Sequence, residues 1–156
     1  MTGHAEFSVP KDRLRVRMRL RNETAAAGEI FLEHFPGERP VYQRVAALLE
    51  DEQSFVPLLE ESSGKMLLVN KANIKIVDFA DPGDAGEKMG IMHVEQVEAV
   101  FATGDALRGE LTADVPDERA RLSDCLNQRV RFLLLRSEGA ICFVNKEALM
   151  IVRPAD

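Results

Sequence analysis

Val69-Asn70-Lys71-Ala72-Asn73-Ile74-Lys75-Ile76-Val77 returns later in the chain as Val144-Asn145-Lys146-Glu147-Ala148-Leu149-Met150-Ile151-Val152. A Phe-led apolar run precedes each copy, Phe55-Val56-Pro57-Leu58 in the first and Phe132-Leu133-Leu134-Leu135 in the second. An internal repeat constrains architecture more strongly than any local propensity. This one predicts two copies of a small unit packed as a pseudo-dimer, and by itself it implies no chemistry.

Upstream of the first copy, Arg13-Leu14-Arg15-Val16-Arg17-Met18-Arg19-Leu20-Arg21 alternates with period two. That is the pattern of a strand with one apolar face. Asn22-Glu23-Thr24 reads as a turn and Gly28 to Glu33 as the return strand of a hairpin. His34 to Pro40 reads as a loop. Val41, Val45, Leu48 and Leu49 form one apolar stripe of a helix over Val41 to Glu52. Its acidic end, Glu50-Asp51-Glu52, is the wrong charge for a helix C-terminus and predicts fraying. Ser54 to Glu60 is a third strand, which Pro57 restricts to an edge, a bulge or one-sided pairing. Lys65 to Asp78 is a fourth, with room for a break near Asn70-Lys71.

The order then recurs. Met92 to Phe101 and Leu107 to Ala113 form a hairpin, and Asp114-Val115-Pro116-Asp117-Glu118 opens a helix with a favourable acidic first turn. Arg129 to Arg136 and Ala140 to Val152 are the closing strands. Gly28-Glu29-Ile30 aligns with Gly109-Glu110-Leu111, Arg44-Val45 with Arg121-Leu122, Leu49 with Leu126, and Phe55 with Phe132. The expected fold class is therefore α+β: a tandem repeat of two β-β-α-β-β units, each a small curved sheet or barrel with one helix. The first spans residues 12–78, a linker 79–91, and the second 92–153. A single continuous barrel is the alternative. Expected core positions are Val16, Met18, Leu20, Ile30, Leu32, Val45, Leu49, Phe55, Leu58, Leu68 and Ile74. Their counterparts are Val97, Phe101, Leu111, Leu122, Leu126, Phe132, Leu135, Phe143 and Leu149.

Charge is uneven. Residues 1–78 carry 11 Lys+Arg against 12 Asp+Glu, and residues 79–156 carry 9 against 14, for a net charge of −6. An acidic total disfavours generic binding to nucleic acid or anionic membranes, which a positive field drives. No apolar run approaches the roughly 20 residues of a membrane span. The start, Met1 to Phe7, lacks the basic and apolar regions of a signal peptide. With two cysteines only, Cys125 and Cys142, the expectation is a cytoplasmic protein in a reducing compartment.

The sharpest candidate site is the ladder Arg13, Arg15, Arg17, Arg19 and Arg21. Strand geometry sets these on one face about 6.5–7 Å apart, near the phosphate repeat of an extended single strand. Guanidinium groups bind phosphate bidentately, so the ladder suits an anion or a partner. The plainer reading is a solvated face paired across the sheet with Glu29 and Glu33, or with Glu95 and Glu98 of the second copy, and it is the favoured one. Phe31 is the one nearby ring, so a platform for stacking bases is weak.

The turned hairpin ending in Gly-Glu-Ile or Gly-Glu-Leu, the Phe-led strand and the closing Asn-Lys-x-x-Ile/Leu resemble the Sm-like small barrel. In that family the late motif belongs to an RNA-binding loop, which the resemblance would put at Asn70-Lys71 and Asn145-Lys146. The helix inside the unit and the missing glycine depart from the family's pattern. The second copy also resembles a group of small bacterial β-rich domains, a resemblance that implies no activity. The structural reading of Asn-Lys is a strand bend, with Asn taking an unusual backbone angle and Lys facing water.

Other residues point away from catalysis. His4, His34 and His93 are not spaced as metal ligands, and His93 reads as half-buried in a strand. Cys125 and Cys142 fall on apolar faces and read as inert core thiols. No serine sits in a nucleophile elbow, no phosphate loop or cofactor motif occurs, and the acidic clusters read as solvated helix ends. The expectation is a non-catalytic bacterial interaction or adaptor module with a protein partner, no cofactor, no metal and no membrane. Self-association is compatible with it. The runner-up is a nucleic-acid or nucleotide-binding protein using the Arg13–Arg21 face.

Overall fold

In the computed structural model, residues 11–33, 39–85, 93–113 and 122–155 are described. The alternating segment forms β1 (Lys11–Leu20), which pairs antiparallel with β2 (Ala25–Glu33). Glu23 turns the hairpin with a positive φ of 72°. Helix α1 (Val41–Glu50) follows, then β3 (Phe55–Glu60), β4 (Met66–Asn70), a 3-10 turn at Lys71–Asn73 and β5 (Ile74–Ala80). The second half supplies β6 (His93–Phe101), β7 (Ala106–Ala113), α2 (Leu122–Leu126), β8 (Phe132–Ser137) and β9 (Ala140–Asn145). A 3-10 turn at Lys146–Ala148 and β10 (Leu149–Pro154) close it.

The α+β expectation is overturned. The described chain is nearly all β, a single antiparallel sheet of ten strands in the order β10-β6-β7-β8-β9-β5-β1-β2-β3-β4. It is not a pair of four-stranded β-β-α-β-β units packed as a pseudo-dimer. The physical reason lies at Asn70. Its side chain accepts the Ala72 N–H at 3.0 Å and caps a 3-10 turn, so the segment expected as one strand becomes two. β4 stays with β3, while β5 crosses to pair with β1 and with β9 of the other half. Asn70 has ordinary extended angles, φ −71° and ψ 121°, so the bend comes from side-chain capping and not from an unusual backbone. Asn145 accepts the Glu147 N–H in the same way at 2.9 Å.

The β5–β9 ladder, from Ile76↔Val144 to Ala80↔Ala140, gives each of two separate hydrophobic clusters residues from both halves. One gathers Val16, Met18, Ile30, Val45, Leu49, Leu58 and Val77 with Phe132, Ile141 and Phe143 from the second half. The other gathers Val97, Phe101, Leu111, Cys125, Leu135 and Val144 with Ile76 from the first. Leu20, Leu122, Leu126 and Leu149 are partly buried at the margins. Phe55 and Leu68, expected in the core, are exposed.

The strand crossings need two glycines. A Cβ on Gly28 would collide with the Leu59 carbonyl, and one on Gly109 would lie 2.7 Å from the Arg136 carbonyl oxygen. Pro57 is tolerated because β2 meets β3 only at Glu60 and Leu59. Glu60 N–H donates toward β4, so by alternation the Pro57 nitrogen points to the unpaired side.

Phe79 and Ala80, assigned to the linker, belong to β5. The leader up to Pro10, residues 34–38 of the first loop, linker residues 86–92, the helix opening at Asp114 to Glu118 and Arg121 lie outside the described residues. So do His4 and His34, and the side chain of His93.

Candidate functional site

Along β1 the arginines alternate with buried Val16 and Met18 and point outward, each beside an acid. Arg13 lies 3.5 Å from Glu29 and over the Phe31 ring, 5.5 Å from its centroid. Arg15 lies 2.9 Å from Glu61, Arg17 3.5 Å from Asp78, Arg19 3.9 Å from Asp105 and Arg21 3.9 Å from Glu147. Of the acids expected from the sequence, Glu29 reaches the ladder, whereas Glu98 pairs with Arg108 and Arg153 in its own half. Glu61, Asp78, Asp105 and Glu147 were hidden by distance along the chain. Asp105 and Glu147 come from the second half, so the last two arginines cross the β5–β9 junction. Arg21 also donates to the Ala72 and Glu147 carbonyls at 3.3 and 3.4 Å.

The most heavily buried charges among the described residues are two lysines. Lys71, expected to face water, is buried and donates to Asp51 Oδ1 at 2.6 Å. Lys75 is buried where β5 meets the β6–β7 turn. It contacts Glu23 at 2.6 Å, Asp105 at 2.9 Å and Thr103 at 3.0 Å, with its ammonium 4.6 Å from the Phe101 centroid. The signal in the sequence was faint: an isolated Lys between apolar residues of a strand. Glu50, expected as a solvated helix end, accepts the backbone N–H groups of Arg131 and Phe132 at 2.9 and 3.0 Å.

These contacts set the electrostatics. The Lys75 ammonium, then the Thr103 hydroxyl, holds the Asp105 carboxyl below the usual carboxylate range. Burial pushes Asp51 upward, but hydrogen bonds from Lys71 and the Gln53 N–H outweigh it and lower the group. The Gly83 N–H lowers Asp81 most, and Arg136, 2.7 Å away, adds to it. Burial raises both thiols, Cys142 to about 11, the opposite of what a nucleophilic thiolate requires.

The concavities among the described residues are open, and several of their charges are already paired. One of about 490 Å³ is lined by the Asp81–Arg136 pair, Gln96 and Arg108. Another of about 330 Å³ lies by α1, lined by Tyr42, Glu50, Cys125 and Leu134. Among the described residues no helix is long and apolar enough to cross a membrane.

Among the described residues β4 and β10 each lack a neighbour on one side; Met66 and Leu68 of β4 and Met150 and Ile151 of β10 are exposed, as is Phe55 of the adjoining β3. No protein-family model, curated protein or solved structure matches the chain.

Proposed function

We propose that the protein is a non-catalytic interaction module that engages protein partners by strand addition at the open edges of its sheet. The observation that carries this reading is the exposure of large apolar side chains along both terminal strands, β4 and β10. Unpaired strand edges offer backbone donors and acceptors to an incoming strand, and alternate side-chain positions give selectivity. Natural edges are usually blunted with charge, whereas β4 reads Met-Leu-Leu-Val-Asn. Two buried, unpaired thiols suit a reducing compartment, and we place the protein in the cytoplasm on that ground.

A polyanion-binding role for the ladder is the weaker reading. Every arginine of the ladder already has a carboxylate within 4 Å, so a phosphate chain would have to displace its own charge type. The test is quantitative capture of partners by immobilised wild type, Leu68→Lys and Ile151→Lys proteins. Capture that falls at least tenfold in one or both edge variants, with unchanged folding, is expected. Capture indifferent to both edges would sink the reading.

A further inference from the structure

The two halves of the sheet have the same strand succession, β5-β1-β2-β3-β4 and β10-β6-β7-β8-β9. β9 therefore stands in its half where β4 stands in the other, and β5 corresponds to β10. At the centre of the molecule β9 and β5 are paired. At its two ends β4 and β10, the counterparts of that pair, have no strand on their outer sides among the described residues.

Side-chain exposure follows this correspondence at several positions, although Val69 is buried like its counterpart Val144. Phe132, Ile141 and Phe143 are buried against the first half's core. Their counterparts Phe55, Met66 and Leu68 are exposed: Leu68 at 66% against Phe143 at 3%. On the opposite side of the junction, Lys75, Ile76 and Val77 are buried, and their counterparts Met150, Ile151 and Val152 are exposed or partly so. Met150 is 60% exposed and Lys75 1%.

The polar groups agree. Asn145 Nδ2 crosses the inner junction to the Ile74 and Ala72 carbonyls at 2.8 and 3.3 Å. Its counterpart Asn70 uses Oδ1 in its turn, and among the described residues its Nδ2 has no partner. Backbone alternation agrees as well. Glu60 N–H bonds Lys65 and Ala155 N–H bonds Gln96, so the peptide groups of Met66 and Leu68, and of Val152 and Pro154, face outward.

We propose that the partner of these edges is a second copy of this chain, joined head to tail, with β4 of one molecule pairing antiparallel with β10 of the next. This rests on the edge-docking reading above and names its occupant. The register copied from Val77↔Phe143 and Ile76↔Val144 sets Val152 opposite Leu68 and Ile151 opposite Val69. Asn70 Nδ2 then reaches the Leu149 and Glu147 carbonyls of the neighbour. Pro154 stands where Phe79 stands at the inner junction and has no N–H, so the outer ladder has one bond fewer and its far end is closed to further pairing. A head-to-tail contact of this kind generates a ring when its rotation closes and a filament when it does not.

The test uses the full chain and light scattering coupled to size exclusion from about 5 to 200 μM, a range that reports dissociation constants typical of transient contacts. Wild type is expected to form oligomers. Leu68→Lys, which blocks the β4 edge, and Ile151→Lys, which blocks the β10 edge, are each expected to be monomeric. An equimolar mixture of the two retains one good edge of each kind and is expected to stop at a 1:1 dimer. A monomeric wild type throughout this range overturns the inference, as does a dimer persisting in either single variant, which would mean like-with-like pairing. Edge-dependent capture of a different protein by a monomeric wild type would leave edge docking standing while removing the second copy as its partner. Unchanged far-ultraviolet dichroism and urea midpoints control for folding of the variants, whose changed side chains are already exposed.

Discussion

The ammonium of Lys75 lies 2.9 Å from both carboxylate oxygens of Asp105, a residue of the β6–β7 turn. The same ammonium holds Glu23 of the β1–β2 turn at 2.6 Å. One buried cation thus joins the hairpin turns of the two halves. Replacing it with Met keeps the volume but leaves two carboxylates facing one another. Loss of one partner from a buried pair costs about 3–5 kcal/mol, and the partial exposure of both acids lowers this to about 2–4 kcal/mol. Urea unfolding of Lys75→Met measures it, and a loss under about 0.5 kcal/mol would contradict the assignment.

Acid should weaken the fold through the same contact. The Asp105 carboxyl binds protons less readily in the folded chain than in the unfolded one. Its contribution is complete above the unfolded value of about 3.9 and disappears as pH falls through the lower folded value. Asp51 and Asp81 act in the same direction. Urea midpoints are expected to decline below about pH 4, and Asp105→Asn, less stable at neutral pH, is expected to decline less steeply. Parallel profiles for the two proteins would exclude this origin.

Gly28 and Gly109 permit the close crossings at β2–β3 and β7–β8. Gly28→Ala drives a methyl group into the Leu59 carbonyl. Overpacking of this kind costs about 1–3 kcal/mol, and Gly109→Ala, with the roomier contact, is expected to cost less. Negligible losses in thermal unfolding would show that the strands part without strain.

The outward pairs of the ladder are exposed and individually weak. Arg15→Ala is expected to change stability by less than about 1 kcal/mol. Fluorescence anisotropy with labelled single-stranded RNA and DNA is expected to detect no binding at near-physiological salt. Salt-sensitive binding that disappears in Arg17→Glu/Arg19→Glu would restore the polyanion reading.

Local pattern carried β1 and α1 clearly. The Arg-Leu alternation fixes which face of β1 is inward, and the stripe through Val45 and Leu49 fixes the buried side of α1. β2 begins at Ala25, earlier than its side chains suggest, because Ala25-Ala26-Ala27 has little strand preference and is drawn in by pairing with Met18 and Arg19. The break at Asn70-Lys71 was legible, but the sheet's unity was not, since the pairing of β5 with β9 is between distant segments. The same limit hid the ladder's partners: nothing near Arg19 or Arg21 announces Asp105 or Glu147. Phe55 and Leu68 have core-type side chains at core-type positions. What exposes them is their place at the end of the strand order, a property of topology.

The central β5–β9 ladder has a consequence for synthesis. A nascent chain emerges with β5 complete long before β9 has been made. During that interval β5 has β1 on one flank and nothing on the other, and the face awaiting Phe132, Ile141 and Phe143 is uncovered. At translation speeds of about 5–20 residues per second, the roughly 60 residues separating the two strands represent several seconds of exposure. Crowded ribosomes on one message would bring several such half-finished sheets together, so slow translation of the second half should raise the yield of insoluble product.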